Sequence, residues 1–185
     1  MTIVSKLRHT VRGKILLTAC AVVGSVALPQ LVHLIGAFSG VGTALGELLL
    51  PMHFFVLLAG FLAGPAAGAA TGALAPLVSF LLSGMPRATV LPFMMIELLG
   101  YGLMAGLLCK VHINRFSKLV IAQIVGRAMR AGAVLLAVFA FGSNTVSISS
   151  IPNMIRTGLV GILLQWCILP LLLARLDAME KNDDL

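Results

Sequence analysis

Long apolar runs, separated by short stretches that hold charged residues, glycine or proline, make up nearly the whole chain. A helix that crosses the hydrocarbon core of a bilayer needs about 20 consecutive apolar residues. Six runs approach that length, at residues 14–35, 51–62, 66–83, 91–109, 118–141 and 152–174. The pattern predicts an all-α integral membrane protein, a bundle of six transmembrane helices in a single domain of residues 1–185, with an acidic tail at residues 177–185.

Two interruptions modify this pattern. Pro29-Gln30 lies inside the first run, and proline removes a helical hydrogen bond, so a kink is expected there. Residues 37–50 are rich in glycine and contain Glu47, which indicates a long outer loop or a re-entrant segment. An extension of the second span back to Leu48 is an open alternative. The apolar stretch at residues 15–35 is too long for the core of a signal peptide, so it is interpreted as the first span.

Composition agrees with a membrane location. Of the 185 residues, 59% are hydrophobic and 10% are charged, and the mean hydropathy is +1.08. Soluble domains are usually about 45–50% apolar and about 25% charged. The chain is therefore too apolar for a water-soluble fold, and it leaves no room for a separate soluble domain.

The positions of the cations predict the orientation. Cationic loops are retained on the cytoplasmic side of a membrane. With the N-terminus inside, the outer loops hold only Arg87, and the cytoplasmic segments hold Lys6, Arg8, Arg12, Lys14, Lys110, Arg115, Lys118, Arg175 and Lys181. Both termini are thus expected in the cytoplasm. The net charge of +7 is explained by the cations of the cytoplasmic segments. Since the sequence has no basic face interleaved with aromatic residues, no nucleic-acid partner is expected.

Ionisable residues inside the spans are the strongest functional signal, because a charge in hydrocarbon costs about 2.5–3.5 kcal/mol even on insertion scales. Glu97 and Tyr101 share one face of the fourth span, and Arg127 and Arg130 lie at a similar depth in the fifth. An ion pair between these spans is one interpretation, with Arg127 the preferred partner of Glu97. Counting Arg156 in the sixth span, one carboxylate faces three guanidiniums. The surplus predicts a water-filled pocket or an anionic ligand.

Small residues form two further patterns. Gly60, Gly64, Gly68, Gly72 and then Pro76 recur every four residues through the second and third spans. Such spacing allows close helix packing, and it also suits a surface on which a partner or ligand slides. Both interpretations stay open. The first span has a comparable face of small residues, made by Cys20, Ala21, Gly24 and Ser25.

Catalysis is not expected. The sequence has no Walker loop, no HExxH or other metal-binding motif and no GxSxG elbow. The three cysteines are isolated, which favours packing over a metal or redox role. His33 and His53 are single histidines near the outer ends of spans, where polar packing is the simpler interpretation. The prediction is a protein without enzymatic activity, metal or cofactor.

Residues 51–86, PMHFFVLLAGFLAGPAAGAATGALAPLVSFLLSGMP, and residues 91–108, LPFMMIELLGYGLMAGLL, carry a family resemblance. They resemble the substrate-binding S components of energy-coupling factor (ECF) vitamin transporters, of the pantothenate/riboflavin type. The most specific matches are Pro51-Met52-His53, Gly64-Pro65 with Gly68 and Gly72, Gly84-Met85-Pro86 and Glu97-xxx-Tyr101-Gly102. Gly126-Arg127 and residues 161–165 also fit, so the resemblance covers most of the chain after residue 45.

The resemblance implies six helices with cytoplasmic termini and a vitamin pocket on the outer side, built from loops one, three and five and the outer ends of spans four to six. The substrate-binding residues it implies are His53, Glu97, Tyr101, Arg127, Arg130, Asn144 and Arg156. It also implies a transmembrane coupling protein and two cytoplasmic ATPases as partners, in the plasma membrane of a prokaryotic cell. The coupling protein would contact Cys20, Ala21, Gly24 and Ser25, a degenerate form of the family's AxxxA pattern.

The expected function is high-affinity capture of a small vitamin or precursor for an ECF-type importer. The surplus of arginine favours an anionic ligand, with pantothenate as the first choice and neutral ligands such as pyridoxine or a cobalamin precursor base second. A self-sufficient secondary carrier or channel, working as a homo-oligomer, is the main alternative. A membrane-embedded enzyme or scaffold is a third class, for which the sequence offers no chemistry.

Overall fold

A computed structural model describes residues 10–42, 44–142 and 146–182 of the chain. Within these ranges the ordered elements are all helices, with no strand. The helices are α1 (Val11–Phe38), α2 (Ala44–Leu49), α3 (Pro51–Ala63), α4 (Pro65–Ser83), α5 (Leu91–Leu108), α6 (Arg115–Phe139), α7 (Ser150–Thr157) and α8 (Leu159–Asn182).

Six segments of the described residues are long and apolar enough to cross a membrane. Five of them lie in α1, α4, α5, α6 and α8, and the remaining one joins α2 and α3 over Ala44–Ala63. The predicted fold class, an all-α membrane protein with six spans, is confirmed. Predicted and observed ends agree within one residue for α4 and α5, whereas α1 is longer than expected and continues through Pro29.

Residue types at the helix ends explain several boundaries. Thr10 Oγ1 accepts a hydrogen bond from the Gly13 backbone N–H at 3.1 Å, and Asn114 Oδ1 accepts one from Phe116 at 3.0 Å. Each side chain satisfies a donor that the first helical turn leaves unpaired. Gly64, with φ of 95°, separates α3 from α4 and so allows a tight turn between these two helices.

The segment at residues 37–50 differs from the predicted loop. Ala44–Leu49 is helical, and the second span therefore begins at Ala44 rather than at Leu48 or Pro51. The break falls at Leu50, which has a left-handed backbone with φ of 49°. Pro51 has no N–H and disfavours a right-handed helical backbone at the residue before it, which explains a break there. The loop was predicted because the segment around Glu47 is rich in glycine, a poor helix former. The alanine and leucine residues of the same segment are good helix formers, and Ala44–Leu49 is helical.

The sixth span is not one continuous helix from residue 152 to 174. It is divided at Gly158 into α7, which has no buried residue, and α8. Every residue of α7 is exposed or half-buried, and Gly158 separates this short helix from α8. At the other end α8 continues to Asn182, and the predicted acidic tail is helical through residue 182. There Asp177 Oδ2 accepts a hydrogen bond from Arg115 Nη2 at 2.9 Å.

The glycine pattern lies inside the bundle, where α3, α4 and α5 meet. A Cβ added to Gly60 would lie 2.5 Å from the Gly102 carbonyl oxygen and 2.8 Å from Ala105 Cβ. A Cβ on Gly68 or Gly72 would overlap the α5 backbone. These glycines permit close packing within the chain, which supports the packing interpretation over a sliding surface.

The most closely packed helix is α5, which contacts α3, α4 and α6. Leu57 on α3, Leu98 and Tyr101 on α5 and Leu119 on α6 are almost fully buried in the shared core. In contrast α8 contacts α2, α3 and α6 over shorter stretches. Large apolar side chains such as Val23, Leu81 and Phe139 are exposed on the outside of the bundle, as a lipid-facing surface requires.

Candidate functional site

A buried carboxylate forms the centre of the candidate site. The Glu97 side chain on α5 is 1% exposed. Its Oε2 accepts a hydrogen bond from Arg130 Nη1 at 2.6 Å, and its Oε1 lies 3.2 Å from both the Tyr101 hydroxyl and Arg127 Nε. The Tyr101 hydroxyl also accepts a hydrogen bond from Arg127 Nε at 2.9 Å. The four side chains thus form one connected network.

Helical spacing and one glycine bring these groups together. Glu97 and Tyr101 are four residues apart on α5, and Arg127 and Arg130 are three apart on α6, so each pair lies on one helix face. The two faces meet at Gly126. A Cβ there would overlap the Tyr101 ring and lie 2.7 Å from the Glu97 carbonyl oxygen. The absence of a side chain at residue 126 therefore lets the arginines reach the carboxylate.

His53 on α3 packs against this network in the interior of the bundle. Its Nε2 lies 3.8 Å from Glu97 Oε1, and its ring centroid lies 5.3 Å from that of Tyr101. The residue is buried, and its Nδ1 has no hydrogen-bond partner among the described residues. His53 is therefore held against the cluster with one ring nitrogen unused.

The two guanidiniums have different surroundings. Arg127 Nη1 donates to the Met154 carbonyl oxygen at 3.0 Å, at the C-terminal end of α7, where a helix favours a cation. Arg127 Nη2 and Arg130 Nε are buried without a partner in the part of the chain that the structure describes. With histidine counted as neutral, two cations face one carboxylate. The cluster therefore keeps one positive charge and unused N–H donors.

A second polar group lies between α6 and α8. Trp166 Nε1 donates to Gln123 Oε1 at 2.6 Å, Gln123 Nε2 donates to Gln165 Oε1 at 2.8 Å, and Gln165 Nε2 donates to the Leu50 carbonyl oxygen at 3.2 Å. The chain of hydrogen bonds connects α6 and α8 to the break between α2 and α3. It fixes the position of α8, which has few other contacts.

A cleft of about 320 Å³ opens between the same two helices. Its surface is almost wholly apolar. One wall comes from α6, with Val120, Gln123, Ile124 and Arg127, and the other comes from α7 and α8, with Ile155, Ile162 and Trp166. Arg127 belongs to both the cleft and the Glu97 cluster. The cleft therefore adjoins the charged cluster at Arg127.

A protein-family model described as "ECF transporter, substrate-specific component" matches residues 15–174, which is most of the chain. The chain belongs to this family. No curated protein and no solved structure matches it. It is therefore a multi-pass membrane transport protein, the substrate-specific component of an ECF importer, and it acts with an ECF module on a small-molecule substrate.

In this S component the structure brings five of the expected substrate-binding residues together: His53, Glu97, Tyr101, Arg127 and Arg130. Arg156 is exposed on α7. Asn144 lies outside the described residues. Among the described residues no group of three or more metal-ligating side chains occurs.

The pairing of the arginines differs from the expectation that Arg127 is the main partner of Glu97. Both arginines contact the carboxylate, and Arg130 makes the shorter contact, 2.6 Å against 3.2 Å. Arg127 divides its donors between the Tyr101 hydroxyl and the Met154 carbonyl oxygen, so only its Nε faces Glu97. The contact with Met154 joins two helices that are distant in the sequence, so it could not be predicted from residue spacing.

The expected partner-contact residues of the S component are mostly used within the chain. Ala21 and Ser25 are buried in the bundle. A Cβ on Gly24 would lie 2.7 Å from the Phe55 ring, so this glycine accommodates α3. Of the four residues only Cys20 is exposed. The contact of this face with the coupling protein stays a prediction.

Gln123 was not among the expected site residues. A signal existed, since an amide inside a membrane span needs a hydrogen-bond partner, and Gln123 lies one turn from Arg127 on α6. Glutamine is neutral, so the positions of the charged residues do not point to it. Its partners Gln165 and Trp166 are on a helix more than 40 residues further along the chain, and only the fold brings them together.

Proposed function

We propose that this S component captures a small anionic vitamin or vitamin precursor at the Glu97–Arg127–Arg130 cluster. It would then deliver the ligand inward together with a transmembrane coupling protein and two cytoplasmic ATPases. The observation that carries the proposal is the charge of the cluster. Two partly buried guanidiniums, on side chains 13% and 15% exposed, face one carboxylate, and one N–H donor on each has no partner among the described residues.

Energetics favour an anionic ligand over a purely structural role. A structural ion pair needs one cation, whereas a second cation inside the membrane costs about 2.5–3.5 kcal/mol on insertion scales. A ligand carboxylate would offset this cost. A hydrogen bond to a charged group contributes about 1.5–3 kcal/mol, which corresponds to about tenfold to a hundredfold in affinity. Neutral ligands would leave the charge uncompensated, so a carboxylate such as that of pantothenate is preferred.

The charge distribution supports a site in the outer half of the bundle. With both termini in the cytoplasm, α5 runs inward from its N-terminal end. Glu97 is then only six residues, or about 9 Å, below the outer end of that helix. Capture from outside the cell is consistent with this depth. Concentrative uptake would need a separate energy source, because the sequence has neither a Walker loop nor an evident internal repeat.

The test combines ligand identification with reconstitution. The molecule retained on the purified protein is identified by mass spectrometry, and its binding is titrated for the wild type and for Arg130→Gln. We expect at least a tenfold loss of affinity in the variant. Arg87→Gln, at an exposed outer position, is the control and should bind as the wild type does.

Reconstituted alone in liposomes, the protein should bind the ligand without accumulating it. Accumulation should require the coupling protein and the ATPases. Proton- or sodium-driven accumulation by the chain alone would contradict the proposal and support the homo-oligomeric secondary carrier instead. A retained ligand without an anionic group, bound equally well by Arg130→Gln, would contradict the assignment of an anion.

A further inference from the structure

The outer nitrogens of the Arg127 guanidinium are covered by α7. Nη1 donates to the Met154 carbonyl oxygen at 3.0 Å, and Nη2 is buried without a partner among the described residues. A Cβ built on Gly158 would lie 3.0 Å from Nη2, so the guanidinium packs against the junction between α7 and α8. While α7 stays in place, Nη2 is therefore out of reach of an external molecule and Nη1 is already occupied.

The helices around Arg127 are not held equally firmly. Leu98 and Tyr101 on α5 and Leu119 on α6 anchor these two helices in the core. In contrast α7 has no buried residue, and its most extensive helix contact is a short one with α8, the next helix in the chain. A segment with few buried apolar contacts opens at a lower free energy than the core helices. Of these elements, α7 is thus the one that can most easily leave Arg127.

The Met154 carbonyl can leave Arg127 and still keep hydrogen bonds. It accepts a second bond from the Gly158 N–H at 3.2 Å and a longer one from the Thr157 hydroxyl at 3.4 Å. The carbonyl is neutral, whereas a carboxylate forms shorter and stronger hydrogen bonds with a guanidinium because both partners are charged. An anion that reaches Arg127 is therefore a better partner for it than the Met154 oxygen.

We propose that α7 is a latch on the binding site. The Met154 carbonyl oxygen occupies the place on Arg127 that an oxygen of the anion takes, and α7 moves away at Gly158 before the anion enters. The role of Arg127 in binding rests on the proposed function, whereas the opening of α7 does not. Because only the open form admits an anion, the apparent affinity is reduced by the fraction of molecules that are open.

Chemical modification of Arg127 measures the opening without knowledge of the ligand. Phenylglyoxal reacts with accessible guanidiniums, and mass spectrometry of peptides gives the rate at each arginine. The full-length protein is dialysed and then modified in detergent micelles. Arg127 should react measurably, but at least about tenfold more slowly than the exposed Arg87, because only open molecules react.

Two cross-links distinguish movement of α7 from access through the cleft between α6 and α8. In a protein whose three cysteines are replaced by serine, a short bismaleimide joins Ile124→Cys on α6 to Ile155→Cys on α7, across the cleft. The matched control joins Ile124→Cys to Ile162→Cys on α8, so it fills the same cleft and leaves α7 free. The first cross-link should slow the modification of Arg127 at least about tenfold, and the control should leave the rate almost unchanged.

Equal slowing by both cross-links would mean that the reagent enters through the cleft, and no slowing by the first would mean that α7 need not move. Either result would overturn the inference, as would an Arg127 that never reacts or that reacts as fast as Arg87. These results would leave the proposed function intact. The expected rates, together with a neutral retained molecule that Arg130→Gln binds equally well, would support the latch and refute the anionic ligand.

Discussion

The guanidinium of Arg127 joins two elements of the bundle. Its Nε contacts the Tyr101 hydroxyl and Glu97 on α5, and its Nη1 contacts the Met154 carbonyl oxygen on α7. Arg130 instead directs one nitrogen at the second carboxylate oxygen. A single carboxylate thereby holds two cations at one depth of the membrane. The stability of the site should depend on the balance of these charges more than on any one contact.

Glu97→Gln tests this balance. Removing the carboxylate leaves two buried guanidiniums uncompensated, and breaking a buried pair by removing one partner costs about 3–5 kcal/mol. The free energy of unfolding, measured in mixed micelles, should fall by an amount of this order. The double variant Glu97→Gln/Arg130→Gln should recover part of the loss, because one uncompensated charge is removed as well.

Glu47→Gln is the control for the loss of a carboxylate, since Glu47 is exposed on α2. It should leave the free energy of unfolding almost unchanged. If the double variant were destabilised by the full sum of the two single variants, Glu97 and Arg130 would not be coupled, and the charge argument would be refuted.

At the level of elements, glycines decide how near the helices approach one another. Gly60, Gly68 and Gly72 bring α3, α4 and α5 together, and Gly126 brings α6 against Tyr101. The four-residue spacing of the glycines predicted the close packing of α3, α4 and α5 as one of its two interpretations. Gly126 belongs to no such repeat, so its role was visible only from the packing of α5 against α6.

Gly126→Ala should separate α5 from α6. The new Cβ would overlap the Tyr101 ring and approach the Glu97 carbonyl oxygen to 2.7 Å, and overpacking of this kind costs about 1–3 kcal/mol. We expect a lower melting temperature and weaker ligand binding, since Arg127 and Arg130 move with α6. Thermal unfolding and a binding titration measure the two effects.

Gly132→Ala is a matched control on the same helix, because a Cβ there meets no atom within 4 Å. Alanine has the higher helix propensity, by about 0.5–1 kcal/mol, so this variant should be neutral or slightly more stable. Equal destabilisation by the two substitutions would show that the close approach at Gly126 is not what positions the arginines.

For the whole molecule, six spans place both ends of the chain on one side of the membrane. The surplus of cations in the N-terminal segment, in the loop before α6 and after α8 predicts that this side is the cytoplasm. A bundle of six spans also agrees with a component that binds substrate and leaves energy coupling to partners.

Reporter fusions test the orientation. A reporter placed after Lys118 should lie in the cytoplasm, and one placed after Ser147 should lie outside. A fusion after Lys181 serves as a control and should agree with the first. The same location for Lys118 and Ser147 would mean that α6 does not cross the membrane, and the six-span topology would be wrong.

The sequence by itself determined the fold class, the approximate positions of the first, third, fourth and fifth spans, and four residues of the charged cluster. These properties depend on local quantities: the length of apolar runs, the cost of an isolated charge in hydrocarbon, and the helical spacing that puts Glu97 with Tyr101 and Arg127 with Arg130. The first span and the middle spans were therefore located without knowledge of their neighbours.

The tertiary structure decided the pairing within the cluster, the helix at Ala44–Leu49, the division of the sixth span at Gly158 and the cleft beside Trp166. Each depends on contacts between residues far apart in the chain. The Gln165 side chain contacts the Leu50 carbonyl oxygen across 115 residues, and the Arg127 side chain contacts the Met154 carbonyl oxygen across 27 residues. Spacing along one helix cannot encode such contacts, since they arise from how whole helices pack.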